Sequence, residues 1–244
     1  MRNVIVTGAS RGLGLAITTT LAASGYRVLA VARSESEPLR TAIAAAAATG
    51  RGEVQFYPCD LQATRDIAGL VSRMRGQAGP LFGLVNNAGI GTAGVLALMR
   101  DEDIERLIRL NTLSPILLTK YVVRSMMSER AGRIVNISSI VGATGYHALS
   151  VYSATKSSLV GFTRSLAREV GQLGITVNTI APGFIDTEMT TELGGEGRDK
   201  IIRRSALKRL AQPADVASAV DFLLSDKAAN ITGTTLTVDA GNTA

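Results

Sequence analysis

A doubly wound α/β domain, with a seven-stranded parallel sheet covered by helices on both faces, is the fold class this sequence predicts. Three observations carry that expectation. Short β-rich apolar runs alternate with stretches of helical apolar spacing, a glycine-rich turn joins the first run to the first helix, and no polar linker divides the 244 residues. One domain spanning 1–244 is therefore expected.

Val4, Ile5 and Val6 form the first β-branched run, and Leu13, Ile17 and Leu21 follow at helical spacing. Residues 26–31 read as the second strand, 38–49 as an alanine-rich helix stopped by Gly50, and 54–57 as the third strand. A helix over 64–75 and a strand over 81–85 come next. Asp101, Glu102 and Asp103 open a helix, where carboxylates complement the dipole more naturally than they form a general-acid pair. Residues 112–128 form a helix with Pro115 in its first turn, 133–137 a strand, 150–170 a helix and 175–180 a strand. Residues 186–210, broken by Gly194, Gly195 and Gly197, read as irregular and are the candidate for a mobile substrate lid. A helix over 213–224 and a strand over 235–238 complete the pattern. In such a fold ligands bind beyond the carboxyl ends of the strands.

Composition narrows the function. The first residues hold only three consecutive strongly apolar side chains, and nowhere do eighteen run together, so neither an export signal nor a membrane span is expected and a cytoplasmic protein is. A single cysteine, Cys59, excludes an intramolecular disulfide, and with a single histidine, His147, no metal site is expected. The net charge of +6 suits an acidic partner such as nucleic acid, a phosphorylated cofactor or an acidic carrier protein, or is an ordinary surface. At 4% aromatic residues without basic-aromatic clusters, nucleic acid has little support.

The chemistry is concentrated in Tyr152 and Lys156, four apart on one helix face, with Ser139 thirteen positions upstream. A phenol titrates near pH ~10, and a nearby cation favours its phenolate, so the pair suits acid-base work at a carbonyl or alcohol that a serine hydroxyl could hold. The bland alternative is a solvated helix face. Gly8, Ser10, Arg11, Gly12, Leu13 and Gly14 form a turn between strand and helix that lets backbone approach a pyrophosphate; the alternative is a tight turn without ligand. The same residues spell a hydrolase nucleophile elbow around Ser10, with His147 as base. Against it, the serine follows the first strand and two further strand-helix units come after the histidine.

Arg33 stands at the end of the second strand, where an acid would hold the ribose 2′-hydroxyl of NAD. With Arg11 it could grip a 2′-phosphate, which predicts NADPH over NADH; two exposed arginines are the alternative. Asp60, closing the third strand, could take an adenine amino group or cap the next segment. Asn86, Asn87, Ala88 and Gly89 close the fourth strand with small residues suited to close cofactor approach.

Together these pieces resemble the short-chain dehydrogenase/reductase family over essentially the whole chain. The resemblance rests on Thr7-Gly8-x-x-x-Gly12-x-Gly14, Asn86 to Gly89, Asn111, Ser139, Tyr152-x-x-x-Lys156 and Pro182-Gly183. It implies a Rossmann fold, an NADP(H) cofactor and a homotetramer. It also implies Tyr152 as general acid, Ser139 orienting the carbonyl oxygen, and Lys156 lowering the tyrosine pKa and binding the nicotinamide ribose. Asn111 is implied to hold a relaying water, Pro182, Gly183, Ile185 and Thr187 to contact the nicotinamide end, and Asp60 and Leu61 the adenine. Ser138 beside Ser139 raises a question of register, which the spacing to Tyr152 resolves in favour of Ser139. Within the family, stretches such as residues 132–139, 174–178 and 181–187 resemble 3-oxoacyl-acyl-carrier-protein reductases, implying a thioester substrate on an acidic carrier. Arg130 and Arg133, expected near the active-site mouth, fit that carrier, whereas Leu173 departs from the basic residue often found there. Coenzyme A as the acyl carrier, another small or cyclic ketone, and a nucleotide-sensing binding protein are the alternatives.

Overall fold

The computed structural model describes residues 1–185 and 194–244. Its elements run β1 (Asn3–Thr7), α1 (Gly12–Ala23), β2 (Arg27–Ala32), α2 (Glu37–Thr49), β3 (Glu53–Pro58), α3 (Ile67–Ala78) and β4 (Leu81–Asn86). Then come α4 (Asp101–Ile108), α5 (Ser114–Glu129), β5 (Gly132–Ile137), α6 (Val141–Thr144), α7 (Ser150–Val170), β6 (Ile175–Pro182), α8 (Gly194–Arg204), α9 (Pro213–Leu224) and β7 (Thr235–Val238). The strands form one parallel seven-stranded sheet in the order β3-β2-β1-β4-β5-β6-β7. The order reverses between β1 and β4, and a crevice opens at such a switch point.

Alternation along a strand sends neighbouring side chains to opposite faces. Val4 and Val6 meet Ile17, Leu21, Val216, Val220 and Leu223 from α1 and α9. Ile5, between them, meets Leu118, Val122, Met126 and Leu166 from α5 and α7. Burial on both faces is why β1, β5 and β6 are enclosed along their whole length. At about 25 cal/mol per Å² of apolar surface, these two cores supply most of the drive to fold.

Local signals set most boundaries. Ser36 caps α2 by accepting the Leu39 amide at 3.2 Å, Pro38 sits in the first turn, and Gly50 ends the helix at φ 63°. Four elements differ from the sequence reading. The helix expected over 64–75 begins at Ile67, after a 3-10 turn at Thr64–Asp66, and continues to Ala78. The helix expected from 112 is continuous with α4 through a π-helical turn at Arg109–Leu113, which no residue type announces. α6 was not expected. Residues expected to be irregular form α8 in part, with its glycines in the first turn, where a missing side chain does least harm, and Arg203 and Arg204 complementing the dipole in the last. The remainder of the expected lid, 186–193, lies outside the described residues.

Candidate active site

Thr7, the last residue of β1, organises the glycine turn. Its Oγ1 accepts the amides of Asn87 and Ala88, both at 2.9 Å, and its carbonyl accepts Asn87 Nδ2 at 2.8 Å. The turn is thereby fastened to the end of β4, and Asn87 serves that joint. Gly8 sits at φ 69° and Gly12 at φ 53°, and a Cβ on Gly14 would lie 2.1 Å from the Gly8 carbonyl oxygen, so these positions require glycine. No side chain caps α1 at Arg11 and no acid occupies its first turn, which leaves its leading amides for an anion. Leu13 packs into the core beneath the turn.

The adjoining β2–α2 turn is held by the Ser36 hydroxyl, which donates to the Ser10 carbonyl. Arg11 and Arg33 are both exposed beside it. Glu35, the nearest acid, is drawn to Arg40 at 3.4 Å, and Glu37 pairs with the same guanidinium at 2.6 Å. Asp60 is exposed and its Oδ1 accepts the Gln62 amide at 3.0 Å, so it shapes a turn and keeps a second oxygen for a ligand. Leu61 is buried, its carbonyl accepting the Ser114 hydroxyl at 2.6 Å. Glycine cradle, open helix amides and two exposed arginines fit a dinucleotide carrying a 2′-phosphate.

Ser139 follows β5; its hydroxyl accepts the Val141 amide at 3.2 Å and lies close enough to the Tyr152 phenol to favour its ionised form. Ser138 points elsewhere: it is buried and donates to the Lys156 carbonyl at 2.8 Å, fastening α7 to the strand end. Lys156 lies 5% exposed, donates from Nζ to the Ile137 carbonyl at 2.9 Å, and stands 5.7 Å from the Tyr152 ring centre. Burial disfavours its ammonium and brings its pKa from 10.5 to about 8. Burial raises the Tyr152 phenol above its ordinary value, offset in part by Ser139, and the Lys156 ammonium faces the Ile137 carbonyl and the tyrosine ring.

Asn111, 1% exposed, sits in the π-helical turn. Its Oδ1 accepts the Ile90 amide at 2.9 Å and its Nδ2 donates to the Ile90 carbonyl at 2.8 Å and to Thr155 Oγ1 at 3.2 Å. Gly89 is confined by both: a Cβ there would approach Asn111 Oδ1 at 3.2 Å and Lys156 Nζ at 3.5 Å. Ala88 packs against the core on the other side of this loop.

Pro182 ends β6, and its carbonyl accepts the Ile140 amide at 3.0 Å. Gly183 has no room for a Cβ, which would fall 2.6 Å from that of Asp239, and donates to the Val238 carbonyl at 2.9 Å. Ile185 is buried and bridges to Ala211. Thr187 lies outside the described residues. Arg130 and Arg133 do not stand at this mouth. Arg130 closes α5 with φ 49° and donates to the Gln172 carbonyl at 3.2 Å, and Arg133 is buried in β5 beside Phe82, both at the amino edge of the sheet. A parallel sheet places all its strand beginnings on one edge and all its ends on the other, which separates them from Tyr152.

The sequence reading passed over a polar ladder behind the site. Asn86 donates to Thr119 Oγ1 at 3.0 Å and to Asn136 Oδ1 at 2.8 Å, Asn136 donates to Thr163 at 2.8 Å, and Thr179 meets Thr163 at 2.8 Å. Asn86, Asn136 and Thr179 stand in register on three neighbouring strands. A polar residue near the end of each otherwise apolar run was the available signal. Among the described residues no three His, Cys, Asp or Glu side chains are grouped to hold a metal, and no helix is long and apolar enough to cross a membrane.

Known proteins resemble this chain in sequence and fold. Residues 8–243 match the family profile described as enoyl-(acyl carrier protein) reductase. The 3-oxoacyl-(acyl-carrier-protein) reductase FabG of Escherichia coli K12 is 42% identical over 237 residues, covering 97% of this chain and 95% of the relative. The FabG of Pseudomonas aeruginosa is 41% identical over 239 residues with the same shares, 97% and 95%. A crystal structure of a blue fluorescent protein from a metagenomic library, in complex with NADPH, superposes with a TM-score of 0.92 at 33% identity, covering 100% of this chain and 98% of the other. The chain belongs to the short-chain dehydrogenase/reductase family, and 3-oxoacyl-acyl-carrier-protein reductases are among its similar members.

Proposed function

We propose that this protein uses NADPH to reduce the 3-oxo group of an acyl thioester to the 3-hydroxy form, the acyl group being carried by acyl carrier protein or coenzyme A. One observation supports the reading: the Ser139 hydroxyl acts on the Tyr152 phenol beside Lys156, at the strand ends that also bear the glycine turn. Bound NADPH supplies hydride. Gly8, Gly12 and Gly14 admit its pyrophosphate, Arg11 and Arg33 its 2′-phosphate, Asp60 and Leu61 its adenine, Asn87, Ala88 and Gly89 its middle, and Pro182, Gly183, Ile185 and Thr187 its nicotinamide end.

Tyr152 is the general acid. Its raised pKa keeps the phenol protonated at neutral pH, so a proton is available for the carbonyl oxygen while Ser139 holds that oxygen. Lys156 would keep a cation near the oxygen being reduced and bind the nicotinamide ribose. Both ends of the Asn111 carboxamide are engaged with the Gly89–Ile90 loop and α7, so its side chain acts by positioning them.

The family description supports a second reading, reduction of a 2-enoyl thioester. A serine hydroxyl beside the tyrosine phenol favours the carbonyl. NADPH oxidation assayed with acetoacetyl-CoA, a 3-oxoacyl carrier-protein thioester, a 2-enoyl thioester and cyclic ketones tests both. The 3-oxo thioesters are expected to give the highest kcat/KM, and a winning enoyl thioester or cyclic ketone would overturn the assignment.

We further assign a single catalytic domain acting in the cytoplasm as a homotetramer, with 186–210 covering the substrate. Phe222 on α9 and Leu236 on the edge strand β7 are half-exposed apolar side chains that an assembly could cover, and light scattering at working concentration measures its mass.

A further inference from the structure

Tyr146 and Phe184 form an edge-to-face aromatic pair, with ring centres 5.6 Å apart and planes at 62°. Both come from the carboxyl edge of the sheet. Tyr146 follows α6, the short helix just beyond Ser139, and Phe184 follows Gly183 at the end of β6. α6 is fixed to α7 alongside Tyr152 and Lys156, since Ser153 Oγ donates to the Val141 carbonyl at 2.8 Å and Ser157 Oγ to the Gly142 carbonyl at 2.5 Å. Two residues beyond Tyr146, Ala148 is held at φ 60°, and its carbonyl accepts the Gly94 amide at 2.8 Å, which ties in the loop after β4. That loop carries exposed Val95 and Leu96.

The three segments around the hydroxyl pair, 86–99, 134–155 and 174–185, contain no Asp, Glu, Lys or Arg. Within these segments an apolar chain attached to the carbonyl would find Leu96, Tyr146 and Phe184. Tyr146 is 48% exposed, so its ring, in contact with Phe184, keeps surface to offer. Building on the carbonyl-reductase reading, we propose that Tyr146 determines specificity: its ring, braced on Phe184, walls the substrate mouth and limits the length of the apolar chain attached to the carbonyl.

The test compares kcat/KM across short to long unbranched 3-oxoacyl thioesters for wild type, Tyr146→Ala, Tyr146→Phe and Phe184→Ala. Tyr146→Ala should raise long-chain over short-chain preference by about tenfold or more, as removal of a pocket wall does. Tyr146→Phe should keep the wild-type profile, because the ring and not its hydroxyl forms the wall, and Phe184→Ala should shift it in the same direction as Tyr146→Ala. NADPH affinity by fluorescence titration should be unchanged in all three. A wild-type profile in Tyr146→Ala, or an equal shift in Tyr146→Phe, overturns the proposal and leaves the carbonyl-reductase reading intact. Absence of turnover by the wild type on every member overturns both.

Discussion

The two edges of the sheet use positive charge in opposite ways. At the amino edge, Arg2 lies over Phe82 at 4.3 Å and Arg133 over the same ring at 5.5 Å, while Asp226 reaches Arg2 at 2.9 Å and Arg133 at 3.8 Å. Arg27 pairs with Glu53 at 2.7 Å. At the carboxyl edge, Lys156 is buried with a backbone carbonyl and an aromatic ring as its neighbours, and among the described residues no carboxylate is paired with it. Cations that serve the fold are neutralised. The one that serves the site is kept in a state that costs stability, because a carboxylate placed beside it would oppose the charge that develops on a reduced carbonyl.

The contrast can be broken first at its chemical centre. Tyr152→Phe removes the proton donor and should lower kcat by roughly 10²–10⁴-fold while NADPH binding, followed by fluorescence, survives. Turnover close to wild type would remove Tyr152 from the mechanism. Arg33→Asp should reduce the NADPH-over-NADH ratio of kcat/KM by roughly ten- to a hundredfold, the worth of one charge-assisted contact and the repulsion that replaces it. An unchanged ratio would leave Arg33 as an ordinary surface residue.

Lys156→Met sharpens the comparison through stability. The folded pKa of about 8 lies below the ordinary 10.5, so between those values the unfolded chain holds more protons and stability rises with pH. Below about pH 8 the full cost applies, on the order of 3 kcal/mol. The raised Tyr152 pKa acts in the other sense only above its ordinary value of 10.0. Lys156→Met should therefore melt higher at pH 7 than wild type, lose activity, and lack the rise in Tm from about pH 8 to 10. A lower Tm at pH 7 would mean that the ammonium stabilises the fold. Smallest of all should be Asp226→Asn at the amino edge, whose exposed carboxylate contributes little: a slight drop in Tm, suppressed by salt, and unchanged kcat. Any change in kcat would connect the two edges.

Much of this was legible from short-range rules. Gly8, Gly12 and Gly14 announce a turn that other residues cannot make, Ser36 and Gly50 announce the ends of α2, and β-branched runs such as Val4-Ile5-Val6 announce buried strands. The π-helical turn holding Asn111 was not legible, because it depends on how α4 and α5 must dock to bury Leu107 and Leu118 on the same body. The division of labour between Ser138 and Ser139 was legible only by spacing; the reason is the alternation of side chains where β5 ends, which turns one hydroxyl to the α7 backbone and the other to Tyr152. Arg130 and Arg133 lie near Ser139 in sequence but at the opposite edge of the sheet, because one strand length separates the two edges.

What the sequence determined by itself was the alternation of strands and helices, the glycine turn and the identity of the reacting groups, since each rests on backbone freedom, periodicity or the chemistry of a single side chain. What the tertiary structure decided was the state of those groups. Lys156 falls to about 8 and Tyr152 rises because of the packing that buries them. Burial depends on elements far apart in the chain, and it sets the cost of a charge more strongly than any neighbour in sequence can.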